Sequence, residues 1–408
     1  MSTADVVLGF GAAIDREIDW DAVVLGELAQ HYGIGPADLF SRTAIQTERD
    51  LVACILGYLQ GGSGGERRVE EPEVINQFCS RFSGTTSLGG TCVRAASAME
   101  RLGQPALVNI TYADEQVRGL LSEGCSYLVG EGNDPSYPHL IVQYPAGARV
   151  RTDRLELVAP RANRLIFVND PANERLALSS ELKGAVAEAD VLLVSGLNAM
   201  RSLPQLRQRL AYIEECVRGS QRGTLVFYED AGFHEPAFAE VVRSQMASLV
   251  DVYSLSDEEL TQVLGSPVDL LDAVQVLDAL RTITAELLVP VLVVHSRHWA
   301  VAFGERAQDF AGPLATGVGM ATARYAYGDA MSAATMRAMA AAPADTQTSR
   351  FVLDITALAG GRLACVPVPA LNVASPTTVG LGDTFVGGFL AACAASPRTL
   401  TDATRRAS

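Results

Sequence analysis

The chain has 408 residues, 48% of them hydrophobic and 19% charged, with a formal net charge of −15. That length exceeds one small core, so two domains, or one large α/β domain with an appended lid, is the expectation, and the composition is that of a packed globular protein. The negative balance argues against nucleic-acid phosphates or an anionic membrane as main partner, whereas a small phosphorylated ligand stays allowed because local amides and a metal can overcome a global field.

Seven cysteines, at 54, 79, 92, 125, 216, 365 and 393, form neither metal-like nor disulfide-like spacing, so reduced thiols in a cytoplasmic protein are expected. The N-terminus lacks a basic leader, Val6 to Ala13 is too short for a membrane span, and no uninterrupted apolar run of about 18 residues occurs, so no membrane segment is expected.

Val6 to Asp15 reads as a buried strand ending in a glycine turn and an acid. At the C-terminal edge of a parallel sheet such an acid faces ligands, although aspartate is also common in turns. Residues 20–60 have helical apolar spacing, for example Leu51, Val52, Ile55, Leu56 and Leu59. Gly61 to Gly65 reads as a surface loop, and a further helix is expected around Glu73 to Phe82.

Next, Gly89 and Gly90 precede Thr91 and a helix of small residues that ends at Gly103, followed by a strand from Pro105 to Ile110. Close helix packing through small residues is one reading of this run and substrate contact is another. Residues 138–169 alternate apolar and polar side chains around Pro145 to Gly147 and read as antiparallel strands. From about residue 180 short apolar runs alternate with helix-length segments, which implies a parallel, doubly wound sheet.

Ligand groups then gather at the C-terminal ends of those strands: Ser195 and Asn198, Glu229 and Asp230, Ser254, Ser256 and Glu259, His295 and Arg297. Glu229 and Glu259 are the candidates for holding Mg²⁺, which takes few carboxylates and often binds through water, although acids at strand ends and helix starts are also common. Arg297 offers a fixed fork of donors for a phosphate, and His295 is equally a hydrogen-bonded strand end. Gly312 to Tyr327 reads as a core helix, and Cys365 to Pro369 as a proline-rich edge.

The stretch from Ser375 to Phe389 organises the rest. Gly380 and Gly382 permit a tight turn that presents backbone N–H groups, and the helix that follows adds a partial positive charge, so an anion fits there. Asp383 beside a bound phosphoryl group can take the proton of an attacking hydroxyl. A second reading makes Asp383 a helix cap.

Pro376-Thr-Thr-Val-Gly-Leu-Gly-Asp-Thr384 resembles the C-terminal signature of the ribokinase-like superfamily, in particular its ADP-dependent sugar kinase branch, the ADP-dependent glucokinases and phosphofructokinases. The resemblance runs through nearly the whole chain in order. It implies a three-layer α/β/α large domain over 1–14, 87–134 and 173–408, and a smaller β-sheet lid domain over 15–86 and 135–172 that closes over the acceptor.

By the same resemblance Asp383 is the catalytic base and Gly380, Leu381 and Gly382 form the anion hole. Asp15, Gly89, Gly90, Thr91 and Asn198 bind substrate, and His295, Arg297, Val366, Pro367, Thr378 and Val379 line the nucleotide. Glu229 and Glu259 hold the metal, in places where the branch carries His-x-Glu and Asn-x-x-Glu; Phe227 here replaces the histidine and Ser256 the asparagine. Ser87, Thr91 and Val93 replace an arginine, a glutamine and a glycine around the paired glycines, which alters the acceptor pocket.

The implied function is transfer of the terminal phosphoryl group of a nucleotide, ADP favoured over ATP, to a hydroxyl of a sugar or sugar-containing molecule, with Mg²⁺, in a monomer or small homo-oligomer. A kinase of a nucleoside or specialised metabolite, and a non-catalytic ligand-binding paralogue, are the alternatives.

Overall fold

In the computed structural model, which describes residues 5–39, 44–132, 137–373 and 376–396, the chain divides into two units. The larger comprises Met1–Ala12, Gly90–Gly132 and Asn173–Ser408, and the smaller Ala13–Gly89 and Asn133–Ala172. Among the described residues no helix is long and apolar enough to cross a membrane.

The larger unit is built on a nine-stranded sheet in the order Leu363–Pro367, Trp299–Gly304, Val291–His295, Val252–Ser256, Leu225–Glu229, Val191–Val194, Val6–Gly9, Ala106–Ile110, Cys125–Val129. From Val291–His295 onward neighbours pair in parallel. The expected doubly wound sheet is therefore present, but Trp299–Gly304 extends it as an antiparallel hairpin arm and Leu363–Pro367 pairs antiparallel with that arm. Trp299–Gly304 is buried throughout, so its run of apolar residues has no strand alternation to reveal it.

Side-chain alternation divides the sheet into two apolar faces. Val7, Leu192, Val226, Tyr253 and Leu292 point into one core with the helices Leu203–Arg218, Pro236–Ala247, Ala273–Leu287 and Thr346–Ala359. Phe227 faces the other way, its ring 5.2 Å from that of Phe389 on the helix Leu381–Ala395. That helix packs against Thr91–Arg101 and Ala311–Tyr327.

Small residues set the closeness of these helices: a Cβ on Gly387 would lie 2.5 Å from the Ala95 carbonyl oxygen, and one on Gly388 2.8 Å from that of Thr316. Two helical layers thus sandwich the sheet.

The smaller unit holds a five-stranded sheet in the order Gly65–Arg68, Asn163–Val168, His139–Tyr144, Ala13–Ile18, Gly84–Gly89. The segment expected to be purely antiparallel contributes two mixed strands: His139–Tyr144 is antiparallel to Asn163–Val168 but parallel to Ala13–Ile18. Arg149–Arg151 and Glu156–Val158 form a separate hairpin. One face of the sheet, with Ile18, Leu140, Val142, Leu165 and Phe167, packs on the helices Ala22–His31, Glu48–Gly61 and Pro72–Cys79. The opposite face carries Asp15, His139 and Gln143, whose amide nitrogen donates to Glu17 at 2.5 Å.

Candidate active site

Gly380 is the N-cap of Leu381–Ala395, in left-handed conformation with φ 71° and ψ 23°. The first helical hydrogen bond runs from the Thr384 N–H to the Gly380 carbonyl at 3.0 Å, and the Thr384 hydroxyl donates to the same oxygen at 2.7 Å. The amides of Leu381, Gly382 and Asp383 therefore have no carbonyl within the helix and converge at its N-terminus. Asp383 lies inside the first turn, while the cap position belongs to a residue without a side chain, so the capping reading of Asp383 does not hold.

This loop is held from behind. Arg324, 5% exposed, donates from Nε to the Val379 carbonyl at 2.8 Å and from Nη1 to Asp329 at 2.8 Å. The Thr377 N–H donates to the Tyr325 carbonyl at 3.0 Å. Val379 is buried and Thr378 half-buried. Ser375, the first residue of the signature stretch, lies outside the described residues.

Arg94, on the Thr91–Arg101 helix, sits with Nε 3.7 Å from Asp383 Oδ2. A Cβ on Gly380 would stand 2.7 Å from its Nη1. Glycine is thus demanded at 380 both by φ and by the arginine beside it. A Cβ on Gly382 would lie 3.2 Å from His295 Cε1.

Residues 225, 227 and 229 share one face of their strand, as do 291, 293 and 295 of theirs, so Glu229 and His295 project toward the side that carries Leu381–Ala395. His295 Nε2 donates to Glu229 Oε1 at 2.8 Å, and its ring centroid is 4.8 Å from that of Phe385. Among the described residues, Glu229 Oε2 is buried with no hydrogen-bond partner. Burial by itself pulls the His295 pKa down, but the Glu229 charge and hydrogen bond, with Glu259 and Asp257, outweigh it and raise the value.

Glu259 closes a capping box at the start of Asp257–Leu264, accepting from the Ser256 N–H at 3.0 Å and from the Ser256 hydroxyl. Burial first, and the Glu229 charge second, push its pKa up to about 7. A half-buried carboxylate pair with one oxygen lacking a partner among the described residues fits a divalent cation held largely through water. Among the described residues no group of three or more His, Cys, Asp or Glu is arranged to hold a metal alone.

The imidazole expected to be missing beside Glu229, because Phe227 stands two residues before it, comes from His295 two strands away. The Phe227 position points into the core instead.

Other rim groups are committed elsewhere. The Ser195 hydroxyl donates to the Gly9 carbonyl at 2.7 Å. Asp230 accepts from Tyr228 at 3.1 Å, Tyr253 at 2.9 Å and Arg243 at 2.8 Å, a structural knot at the strand end. Asn198 donates to the Gly232 carbonyl at 3.1 Å. Arg297 is exposed, its Nε 3.0 Å from His298 Nε2. Val366 and Pro367, both half-buried, lie on the edge strand opposite Ala300 and Trp299.

Asp15 is not at the end of the first parallel strand. The chain leaves the large sheet after Gly9, turns at Gly11 with φ 84°, and places Asp15 on Ala13–Ile18 in the smaller unit. There it is 6% exposed, and His139 Nδ1 approaches its Oδ1 at 3.6 Å while Nε2 contacts Asp170 Oδ2 at 3.0 Å. Burial opposes the His139 charge, yet Asp170, Asp15 and Glu66 raise its pKa to about 9.

Gly89 sits opposite Ala13 in the sheet, where a Cβ would lie 2.3 Å from the Asp15 carboxylate. In the larger unit Gly90, at φ 99°, caps the helix that begins with the half-buried Thr91.

Three residues escaped the sequence reading. Arg94 is a lone charge in a run of small residues, His139 is one of five histidines and opens an alternating strand, and Arg324 is hidden inside an Ala/Gly-rich helix. Only the first two leave any mark in the sequence.

Residues 4–391 match the model of the ADP-specific phosphofructokinase/glucokinase conserved region. No curated protein matches the chain in sequence. Among solved structures, it is similar to a phosphofructokinase from Pyrococcus horikoshii OT3 crystallised with AMP, with 17% identity, 97% of this chain and 99% of that one covered, and a TM-score of 0.76.

An ADP-dependent kinase in complex with fructose-6-phosphate and ADPβS gives 14% identity over 97% and 95% of the two chains, with a TM-score of 0.74. The last common ancestor of ADP-dependent phosphofructokinases from Methanosarcinales gives 14% over 97% and 95%, with a TM-score of 0.70. The fold class read from the sequence, an α/β/α unit with a smaller β-sheet unit, stands, and it is shared with these ADP-dependent phosphofructokinase structures.

Proposed function

This chain belongs to the ADP-specific phosphofructokinase/glucokinase family, a family of sugar kinases, and from that premise we propose that it moves the terminal phosphoryl group of ADP to a hydroxyl of a sugar or sugar-containing small molecule. The observation that carries the proposal is Asp383: it stands in the first turn of a helix whose cap is glycine, beside three amides without helical partners, and is not consumed by capping.

In this reading the acceptor hydroxyl gives its proton to Asp383 as its oxygen bonds to the terminal phosphorus. The bond from that phosphorus to the bridging oxygen breaks, and AMP leaves. The amides assigned to the anion hole are those of Gly380, Leu381 and Gly382, of which Leu381 and Gly382 belong to the set without helical partners, and they hydrogen-bond the phosphoryl oxygens as charge develops. Glu229 and Glu259 are the residues to hold Mg²⁺, which when bound neutralises donor phosphate oxygens. His295 fixes the Glu229 carboxylate through its 2.8 Å hydrogen bond.

Arg297, Val366, Pro367, Thr378 and Val379 are assigned to the nucleotide. Gly90, Thr91 and Asn198 are assigned to the acceptor; Asp15 and Gly89, on the smaller unit, carry the same assignment from the family resemblance alone.

The test is phosphorylated product measured with ADP and with ATP over hexoses, hexose phosphates and nucleosides. Turnover is expected with ADP and a sugar, and Asp383→Asn is expected to lower kcat by about a thousandfold. No turnover with any pair, or full activity in Asp383→Asn, overturns the proposal.

A further inference from the structure

We propose that Arg94 is a positioning residue of phosphoryl transfer, orienting the Asp383 carboxylate and bracing the Gly380 turn so that base and amide cradle keep one geometry. The inference rests on the role given to Asp383 above. Arg94 is 8% exposed, and it reaches both ends of the first turn of Leu381–Ala395: Nε stands 3.7 Å from Asp383 Oδ2, while its Nη1 and Cδ would be 2.7 and 2.9 Å from a Cβ at Gly380. The contact comes from a separate helix, Thr91–Arg101, so it ties the loop to a scaffold outside its own segment.

The electrostatics make this placement costly for a residue with only a packing role. A buried cation loses solvation, and the N-terminus of a helix already carries partial positive charge, which repels a guanidinium. Arg94 also belongs to a wider cationic cluster. Arg324 pairs with Asp329, and Arg101 donates to the Asp329 carbonyl at 2.9 Å and the Met331 carbonyl at 3.1 Å. The Asp329 carboxylate feels Arg324, Arg94 and Arg101 together, and these outweigh burial to hold its pKa down.

The guanidinium groups of Arg324, Arg94 and Arg101 thus gather around the Asp329 carboxylate, and Arg94 also faces Asp383, beside a cradle of amide donors. Positive charge gathered beside that cradle suits a site that receives a phosphoryl anion, and the Arg94 guanidinium, 3.7 Å from Asp383 Oδ2, attracts that carboxylate toward one side of the turn.

The test compares Arg94→Met, Arg94→Lys and Arg94→Ala with the parent and with Asp383→Asn. In Arg94→Met kcat is expected to fall at least about tenfold while the dissociation constant for ADP, measured by calorimetry, changes less than about threefold, because a misaligned base affects the reacting geometry and not ground-state binding. Arg94→Lys recovers part of the loss, and added guanidinium ion restores turnover to Arg94→Ala but not to Asp383→Asn.

Hydrogen exchange of peptides covering 376–390 provides a readout independent of turnover, with faster exchange at the first-turn amides expected in Arg94→Met and Arg94→Lys. Arg94→Met with kcat within threefold of the parent overturns the proposal. If Arg94→Met does not fold, Arg94→Lys with parental kcat and parental exchange overturns it. Should the parent phosphorylate nothing, the functional reading above fails by itself, and unchanged exchange in the folded Arg94 variants then refutes the brace.

Discussion

Replacing His139 with glutamine removes a half-buried cation between Asp170 at 3.0 Å and Asp15 at 3.6 Å. The folded-state pKa of about 9 stands above the ordinary 6.5. Each unit of difference is worth about 1.4 kcal/mol, which sets a ceiling of about 3 kcal/mol for the charged form. Because the raised value means that the folded state holds the proton more tightly, this stabilisation is complete below about pH 6.5 and is lost as pH rises through about 9.

Urea unfolding at about pH 6 and about pH 9.5, followed by Trp20 emission in a Trp299→Phe background, reads the smaller unit alone. Relative to His139→Gln, the parent is expected to lose about 1–3 kcal/mol between those pH values. Parallel stability curves for the two proteins across that interval would refute the ion-pair account and leave His139 as a packing residue.

Glu259→Gln tests the carboxylate pair in the larger unit. With a folded pKa of about 7 against 4.5, the native state again binds the proton more tightly, so the parent loses stability as pH rises from about 4.5 through 7, and the variant is expected to flatten that limb by about 1–3 kcal/mol in thermal or urea unfolding. Equal slopes in parent and variant would contradict the raised Glu259 pKa that burial and the Glu229 charge together produce. Gly380→Ala places a Cβ at φ 71° against the Arg94 guanidinium; a loss of about 1–3 kcal/mol in thermal stability together with a drop in kcat is expected, and an unchanged value of both would refute the demand for glycine.

Much of this molecule is local and therefore legible in the sequence. The apolar strands Val191–Val194 and Val291–His295 announce a buried parallel sheet because both of their faces are covered, and the apolar runs in His139–Tyr144 and Asn163–Val168 announce the strands of a second sheet. The Gly380-Leu-Gly-Asp383 run identifies its own helix start, because a left-handed turn and a set of free amides are properties of neighbouring residues. The carboxylates Glu229 and Glu259 stand at strand and helix ends that hydropathy alone locates.

Which side chains meet was decided only by the tertiary structure. Glu229 finds His295 66 residues away because strand order puts their strands two places apart on one face of the sheet, whereas the expected partner position, Phe227, turns into the core. Asp15 lies within a second strand, Ala13–Ile18, instead of ending the first one, because the chain changes sheets at the Gly11 turn and is paired there by strands distant in sequence.

Arg94 reaches Asp383 across 289 positions of sequence, from a helix whose small residues admit the close approach of Leu381–Ala395. The sequence by itself determined the elements, the phosphate-binding turn and the acid within it, since these depend on short-range geometry. The pairing of charges around that acid depends on which helices and strands become neighbours, and only the folded chain decides that.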